Sequence, residues 1–529
     1  MGVFDYIWLG ILAVFQGPEI SLLGLGVPAT PLMVLFGFLL GIMVGATPGL
    51  AGPMAMAISL PILISTFGFN PDALLPVMGF LIGVMKGATI GGAVPAILFN
   101  TPGTPDAYMT TLDGYPMTQK GQAKKALRIA HISSASGDTF SDLVLILCAP
   151  FLAILVERYL DLPEKTALLI LSLAFIASVI GGSVGKGLIS TGLGLMAAYI
   201  GTGEDFYPRL SFGTQQLAQG FPITTAVLGV LILGEVFKAL EDLIRAPSNQ
   251  NPAAEIFEAG DQRLKPADIR RILPYIGRSA MIGTAIGALP GVGSTLAATL
   301  GYTVGRARHT KAHPQTTPFG QGAPEGIAAT EAANSSVSGA NLIPVLSLGI
   351  PGNAAAVFLI LAAESIGGFN PGPSVFKFST DSVNPELVIA FGLFTTMFIA
   401  NALNWTIGGV FMRSMGVMIR IPKHILLPCV LLLTLTAIYV QETRLSAVWF
   451  AIGFGVLGYV MRRLGISPLP FVIAFILGLK LEETARQAFA ATGSDPFFLF
   501  TSPVALTLML LSAAIILFSL RPQKEPPSP

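Results

Sequence analysis

The sequence predicts an all-α polytopic membrane protein, and three observations carry that expectation. Hydrophobic residues fill 53% of 529 positions and charged residues only 11%, whereas soluble domains carry roughly a quarter charged residues. Mean hydropathy is +0.72. Continuous apolar runs recur from end to end, at residues 32–44, 143–156, 167–180, 226–237, 387–400, 425–439 and 504–520. None alternates at the period of two that a transmembrane β-barrel requires. Several runs are shorter than the roughly 20 residues of a perpendicular span, so about 11–13 membrane helices are expected, some discontinuous or re-entrant.

In chain order, MGVFDYIWLGILAVF carries Asp5 and no Lys or Arg before its apolar stretch. That predicts a retained first helix rather than a cleaved signal, with residues 1–30 as helix and connector. Residues 31–246 form a first repeat, and residues 247–271, the longest hydrophilic interval, an extramembrane connector. Residues 272–520 form a second repeat with C-terminal helices, and the Pro-rich, charged residues 521–529 a disordered tail. Lys120, Lys124, Lys125 and Arg128 cluster in one short interval, and Arg306, Arg308, His309, Lys311 and His313 in another. Both clusters, with a third at residues 413–423, are expected on the cytoplasmic side.

Composition also excludes functions. A net charge of +1 argues against nucleic acid, and the 4 histidines show no HExxH. No HExxH and no intramembrane acid pair at catalytic spacing is seen, so an enzyme is not expected, nor a cofactor. Cys148 and Cys429 lie in apolar runs and are expected as small buried hydrophobes.

Self-similarity is the most informative pattern. GATPGLAG at residues 45–52 returns as GALPGVGS at 287–294, an offset of 242. PAILFNTPG at 95–103 returns as PVLSLGIPG at 344–352, an offset of 249. Two matches in the same order at nearly the same offset predict two homologous halves. An inverted arrangement suits a carrier, and a parallel one stays open.

Pro removes a backbone donor and disfavours helix before it, and Gly admits conformations other residues avoid, so each Pro-Gly motif predicts a helix break. Broken backbone survives at membrane depth only when buried in protein or lining an aqueous cavity. Half-helix N-termini suit an anion, and freed carbonyls and hydroxyls suit a cation. The candidate substrate-binding residues on this reasoning are Thr47, Gly49, Asn100, Thr101, Gly103, Thr104, Ser294, Ser347, Gly352 and Asn353. Pro48, Pro102 and Pro351 are candidates for the cation side. Ser and Thr capping their own backbone is the bland alternative. Lys86, in FLIGVMKGATIGG, is a candidate counter-charge for a carboxylate or else a helix-end lysine reaching the interface. Glu331 is expected to set a cation site with Ser338, to receive a proton, or to cap the following helix.

Five blocks in order, GATPGLAG, GGAVPAILFNTPGTPDAYMTTLDGYPMTQKGQAKKAL, ALPGVGSTLAATLGY, FGQGAPEGIAATEAANSSVSGANLIPVLSLGIPG and GGFNPGP, resemble the large membrane subunit of the tripartite tricarboxylate transporters, the TctA family. The resemblance implies a secondary active importer of small carboxylates in the bacterial inner membrane, driven by Na+ or H+. Its partners would be a small four-helix membrane subunit and a periplasmic substrate-binding protein. The family's motif residues fall on Pro48, Gly49, Gly92, Asn100, Pro102, Gly103, Asp113, Gly114, Glu331, Asn334, Pro344, Pro351 and Gly352. The resemblance adds Asn334 to the substrate-binding candidates. Lys86 stands where an aromatic residue or glycine is common, and Ser335 where a second asparagine is, so citrate specificity does not carry over. A stand-alone ion-coupled carrier, or a channel for another small organic solute, is the alternative.

Overall fold

The computed structural model describes residues 2–22, 24–47, 50–180, 183–202, 208–245, 262–290, 293–312, 317–378, 382–414 and 423–519. Among them, five helical stretches are long and apolar enough to cross a membrane: Pro71–Phe99, Ala123–Val156, Ile223–Arg245, Pro385–Ser414 and Leu445–Arg463. By packing, the chain forms two units with interleaved segments. One comprises Met1–Ile154, Arg245–Leu289 and Gly293–Pro428, the other Leu155–Ile244, Pro290–Val292 and Cys429–Pro529.

In the first unit, α1 (Val3–Phe15) leads through an antiparallel hairpin, β1 (Glu19–Leu22) and β2 (Leu25–Pro28), into α2 (Ala29–Gly45). Next come α3 (Gly52–Phe67), α4 (Leu74–Gly91), α5 (Ala93–Phe99), α6 (Tyr108–Gln119) and α7 (Ala123–Tyr159), whose end enters the other unit. The α2–α4 contact follows directly from sequence. Gly37, Gly41 and Gly45 recur every fourth residue on α2, as do Gly79, Gly83, Gly87 and Gly91 on α4. A methyl at Gly83 would sit 2.4 Å from the Val34 carbonyl oxygen, and one at Gly87 2.2 Å from that of Phe38. Lipid is as apolar as leucine, so close packing of small residues, rather than apolar burial, joins such helices.

The second unit opens with α8 (Leu162–Ile180), α9 (Val184–Ala198), a short ladder of β3 (Gly201–Thr202) with β4 (Pro208–Arg209), and α10 (Gln215–Ala218). Then α11 (Ile223–Leu228) passes through a π-turn, Gly229–Leu233, into α12 (Gly234–Arg245).

The first unit resumes with α13 (Pro266–Gly287), α14 (Gly293–Ala312), α15 (Pro324–Ala340), α16 (Leu342–Leu348), α17 (Ala354–Ile366), α18 (Pro385–Leu403) and α19 (Gly409–Ser414). The α13–α15 seam repeats the close approach of α2 and α4, since a methyl at Gly283 would lie 2.2 Å from the Ala333 carbonyl oxygen. Within the connector expected at 247–271, α13 starts at Pro266. Residues 247–261 of that connector, and the expected tail at 521–529, lie outside the described residues.

After α20 (Lys423–Glu442), the second unit closes with α21 (Leu445–Arg463), α22 (Pro468–Ala491) and α23 (Pro503–Ser519). A π-turn leaves carbonyls without their usual helical donors. Arg462 supplies them, donating to Val230 O and Leu231 O at 2.8 Å each while pairing with Glu235 at 2.7 Å. Both cysteines are exposed, which corrects the expectation of burial. In hydrocarbon an apolar side chain is as well solvated outside the bundle as inside, so apolarity of a run does not fix which way it faces.

Candidate functional site

Helix breaks occur at all four Pro-Gly motifs. At the second, α4 passes through Gly92 into the short α5, which ends at Asn100 with φ 54°. Thr101 N then donates to Pro95 O at 3.2 Å. At the fourth, α15 passes through Asn341 into α16, which ends at Gly349 with φ 69°, and Ile350 N donates to Pro344 O at 3.2 Å. These are the same termination, built on residues 249 apart in sequence. A left-handed residue closes a helix when the next N–H reaches back to an orphan carbonyl, and Gly, then Asn, tolerate that conformation best. Pro95 and Pro344 sit in the first turn of their short helices, where a missing N–H leaves no bond unmade.

Close contacts join three of the breaks. Gly103 lies against the end of α2, where an added methyl would come 2.1 Å from Gly45 O. Thr295, in the first turn of α14, donates to Asp106 Oδ1 at 2.5 Å. The fourth break is linked through α17, which packs on α3.

The sequence candidates take different places in this arrangement. Thr47 donates to Met43 O at 2.8 Å, and Pro48 and Gly49 lie outside the described residues. Asn100 and Thr101 are exposed, Thr101 donating to Phe99 O at 3.2 Å, and Pro102 is half-buried. Gly103 and Thr104 are buried, and Thr104 Oγ1, beside Gly92, has no hydrogen-bond partner among the described residues. Ser294 is half-buried in the first turn of α14. Ser347 bonds back to Ile343 O within its own helix, Pro351 and Gly352 are buried, and Asn353 caps α17 by accepting from Ala356 N at 2.9 Å.

A second constellation lies on α15, all of whose residues after Pro324 are buried. Glu331 accepts from Thr110 and, at 3.0 Å, from Ser134. It sits mid-helix, which corrects the capping alternative. Asn334 is 1% exposed, and neither polar atom of its amide has a partner among the described residues. Ser338 donates to Asp138.

Lys86 is fully buried inside α4, so it does not reach the interface. Its Nζ lies 2.8 Å from Asp142 Oδ2, 3.3 Å from Asp138 Oδ1 and 3.3 Å from Asn401 Oδ1. An ammonium so occupied is a member of an internal cluster rather than a bare counter-charge. Asp138, Asp142 and Asn401 are the residues that sequence reasoning missed. Asp138 and Asp142 stand four residues apart on one face of α7, in GDTFSD, just before the apolar run at 143–156. That spacing was the available signal.

Asp113 plays a positioning part. Its Oδ1 accepts from Gly320 N at 2.9 Å, Gly322 N at 2.9 Å and Ala323 N at 2.8 Å, fixing the turn that launches α15. Three backbone donors converging on one carboxylate oxygen make a strong cap.

Buried charge and paired helix breaks in a multi-pass helical protein are the features of a membrane transporter. The chain matches the tripartite tricarboxylate transporter TctA family over residues 32–473, and belongs to it. It is 31% identical over 510 residues to an uncharacterised 52.8 kDa protein of the TAR-I ttuC' 3' region of Agrobacterium vitis, covering 94% of this chain and 95% of that one. A second Agrobacterium vitis protein, uncharacterised and from the TAR-II ttuC' 3' region, is 31% identical over 244 residues, 45% of this chain and 94% of its own. No solved structure matches. This is a transporter family, not an enzyme family, and membership implies the large subunit of a tripartite system with a small membrane subunit and a periplasmic binding protein.

Proposed function

We propose that this chain is the permease subunit of a binding-protein-dependent secondary carrier in the bacterial inner membrane, importing small carboxylates with Na+ or H+ by alternating access. One observation carries the reading: two left-handed helix terminations with the same hydrogen bond, at Asn100 and Gly349, each followed by a Pro-Gly turn. Such paired turns bring backbone N–H groups and the N-terminal end of α17 to an anion, while the α15 polar face offers Glu331, Asn334 and Ser338. Thr104 Oγ1 and the Asn334 amide, buried without partners among the described residues, are supplied for a ligand or water. The recurrence also supports two homologous halves.

The test is uptake of labelled di- and tricarboxylates into proteoliposomes holding both membrane subunits, with the binding protein added outside. Accumulation should require an inward Na+ or H+ gradient. Accumulation that persists after both gradients are collapsed overturns the coupling.

A further inference from the structure

Lys86, Asp138 and Asp142 are each fully buried, and they sum to one excess negative charge. Their neighbours are Asn401 of α18, whose Nδ2 donates to Asp142 Oδ2 at 2.7 Å, and Ser338 of α15, which donates to Asp138 Oδ1. Ser141 turns away to Asp138 O at 3.0 Å. Among the described residues no second cation is paired with either carboxylate, and Asp138 Oδ2 and Asp142 Oδ1 have no hydrogen-bond partner. An uncompensated charge in such a place is costly enough that a neutralising ion is expected.

We propose that the Lys86–Asp138–Asp142 cluster binds one proton, and that this proton is the coupling ion of the carrier; the inference rests on the carrier reading above. A sodium ion is disfavoured by the same geometry. It needs a shell of several oxygens, and among the described residues the cluster leaves two carboxylate oxygens unengaged, beside an ammonium that repels a metal cation. A proton needs one oxygen and completes neutrality. The proton belongs to the carboxylate pair rather than to one named residue.

The cluster is placed to report its occupancy to the broken helices. Lys86 lies on α4, six residues before the Gly92 joint, and Ser338 lies on α15, three residues before the Asn341 joint. Gly339 of α15 approaches so closely that an added methyl would come 2.1 Å from Asp142 Oδ1, the unpartnered oxygen. Protonation there changes the charge facing the segment that leads into α16 and the fourth break. The position 249 residues beyond Lys86 is Ser335, so the lysine has no charged counterpart at that offset.

Infrared difference spectroscopy of the full-length chain in neutral-lipid vesicles tests the site without substrate. The wild type should show a protonated carboxyl band near neutral pH that Asp138→Asn and Asp142→Asn each diminish. Lys86→Met should increase the band, because two carboxylates without an ammonium hold two protons; misfolding would not give that gain. A band unchanged in both asparagine variants, or no increase in Lys86→Met, overturns the proposal. In the reconstituted three-component system, an acid-outside gradient in sodium-free buffer should accumulate labelled citrate, succinate or tartrate. Accumulation driven by sodium alone overturns the proton while leaving the carrier intact, and no accumulation under any gradient counts against the carrier itself.

Discussion

Replacing Asp113 with alanine should loosen the start of α15 and, through it, the buried polar residues Glu331, Asn334 and Ser338. The side chain holds three backbone N–H groups at 2.8 to 2.9 Å. Hydrogen bonds to a charged acceptor contribute about 1.5–3 kcal/mol each, and burying the carboxylate recovers part of that sum. A net loss of about 3 kcal/mol is therefore expected, equivalent to roughly a hundredfold rise in local opening at about 1.4 kcal/mol per decade. Hydrogen–deuterium exchange on peptides spanning residues 317–330 reads this directly. Asp113→Asn keeps an acceptor oxygen in place and should fall between the two. Exchange in Asp113→Ala indistinguishable from wild type would refute the role assigned to the cap, since no second acceptor for those three donors is seen among the described residues.

Other perturbations separate packing from function. Gly83→Ala drives a methyl into the Val34 carbonyl and should cost about 1–3 kcal/mol in thermal stability in detergent. Gly277→Ala, with nothing near the added methyl, should be neutral or stabilise α13 by up to about 1 kcal/mol; equal effects would contradict the seam. Asn100→Gly preserves the left-handed terminus but removes the amide, so a several-fold fall in uptake with normal insertion is expected, whereas unchanged uptake makes that amide structural. Arg462→Met strands two π-turn carbonyls and should lower the thermal stability of the full chain by about 1–3 kcal/mol; unchanged melting contradicts that role.

Much of this architecture was legible because membranes impose a simple grammar. Apolar runs became helices, and Pro-Gly frames became breaks, since backbone chemistry alone decides both. The glycine stripes of α2 and α4 were also in plain view, each with a four-residue period, and only the partner of each stripe needed the fold. The charge cluster was harder. Lys86 and Asp138 are 52 residues apart and Asn401 lies 315 beyond Lys86, so nothing local joined them. The division into two interleaved packing units was hidden for the same reason. Cys148 and Cys429 misled because hydropathy in a membrane chain does not distinguish a lipid-facing position from a core one. Among the break residues, sequence named the segments correctly but could not separate Ser347, bonded to its own helix, from Thr104, which has no partner among the described residues.

The central claim is that the turns following Asn100 and Gly349 meet a carboxylate in an aqueous site. Cysteines placed singly at Thr101 and Asn353, in a chain with Cys148 and Cys429 replaced by alanine, measure it through their reaction with a small charged thiol reagent. Both should react in reconstituted vesicles, and the carboxylate that supports uptake should slow both reactions. Rates unaffected by that carboxylate in a preparation that still transports it would contradict the account.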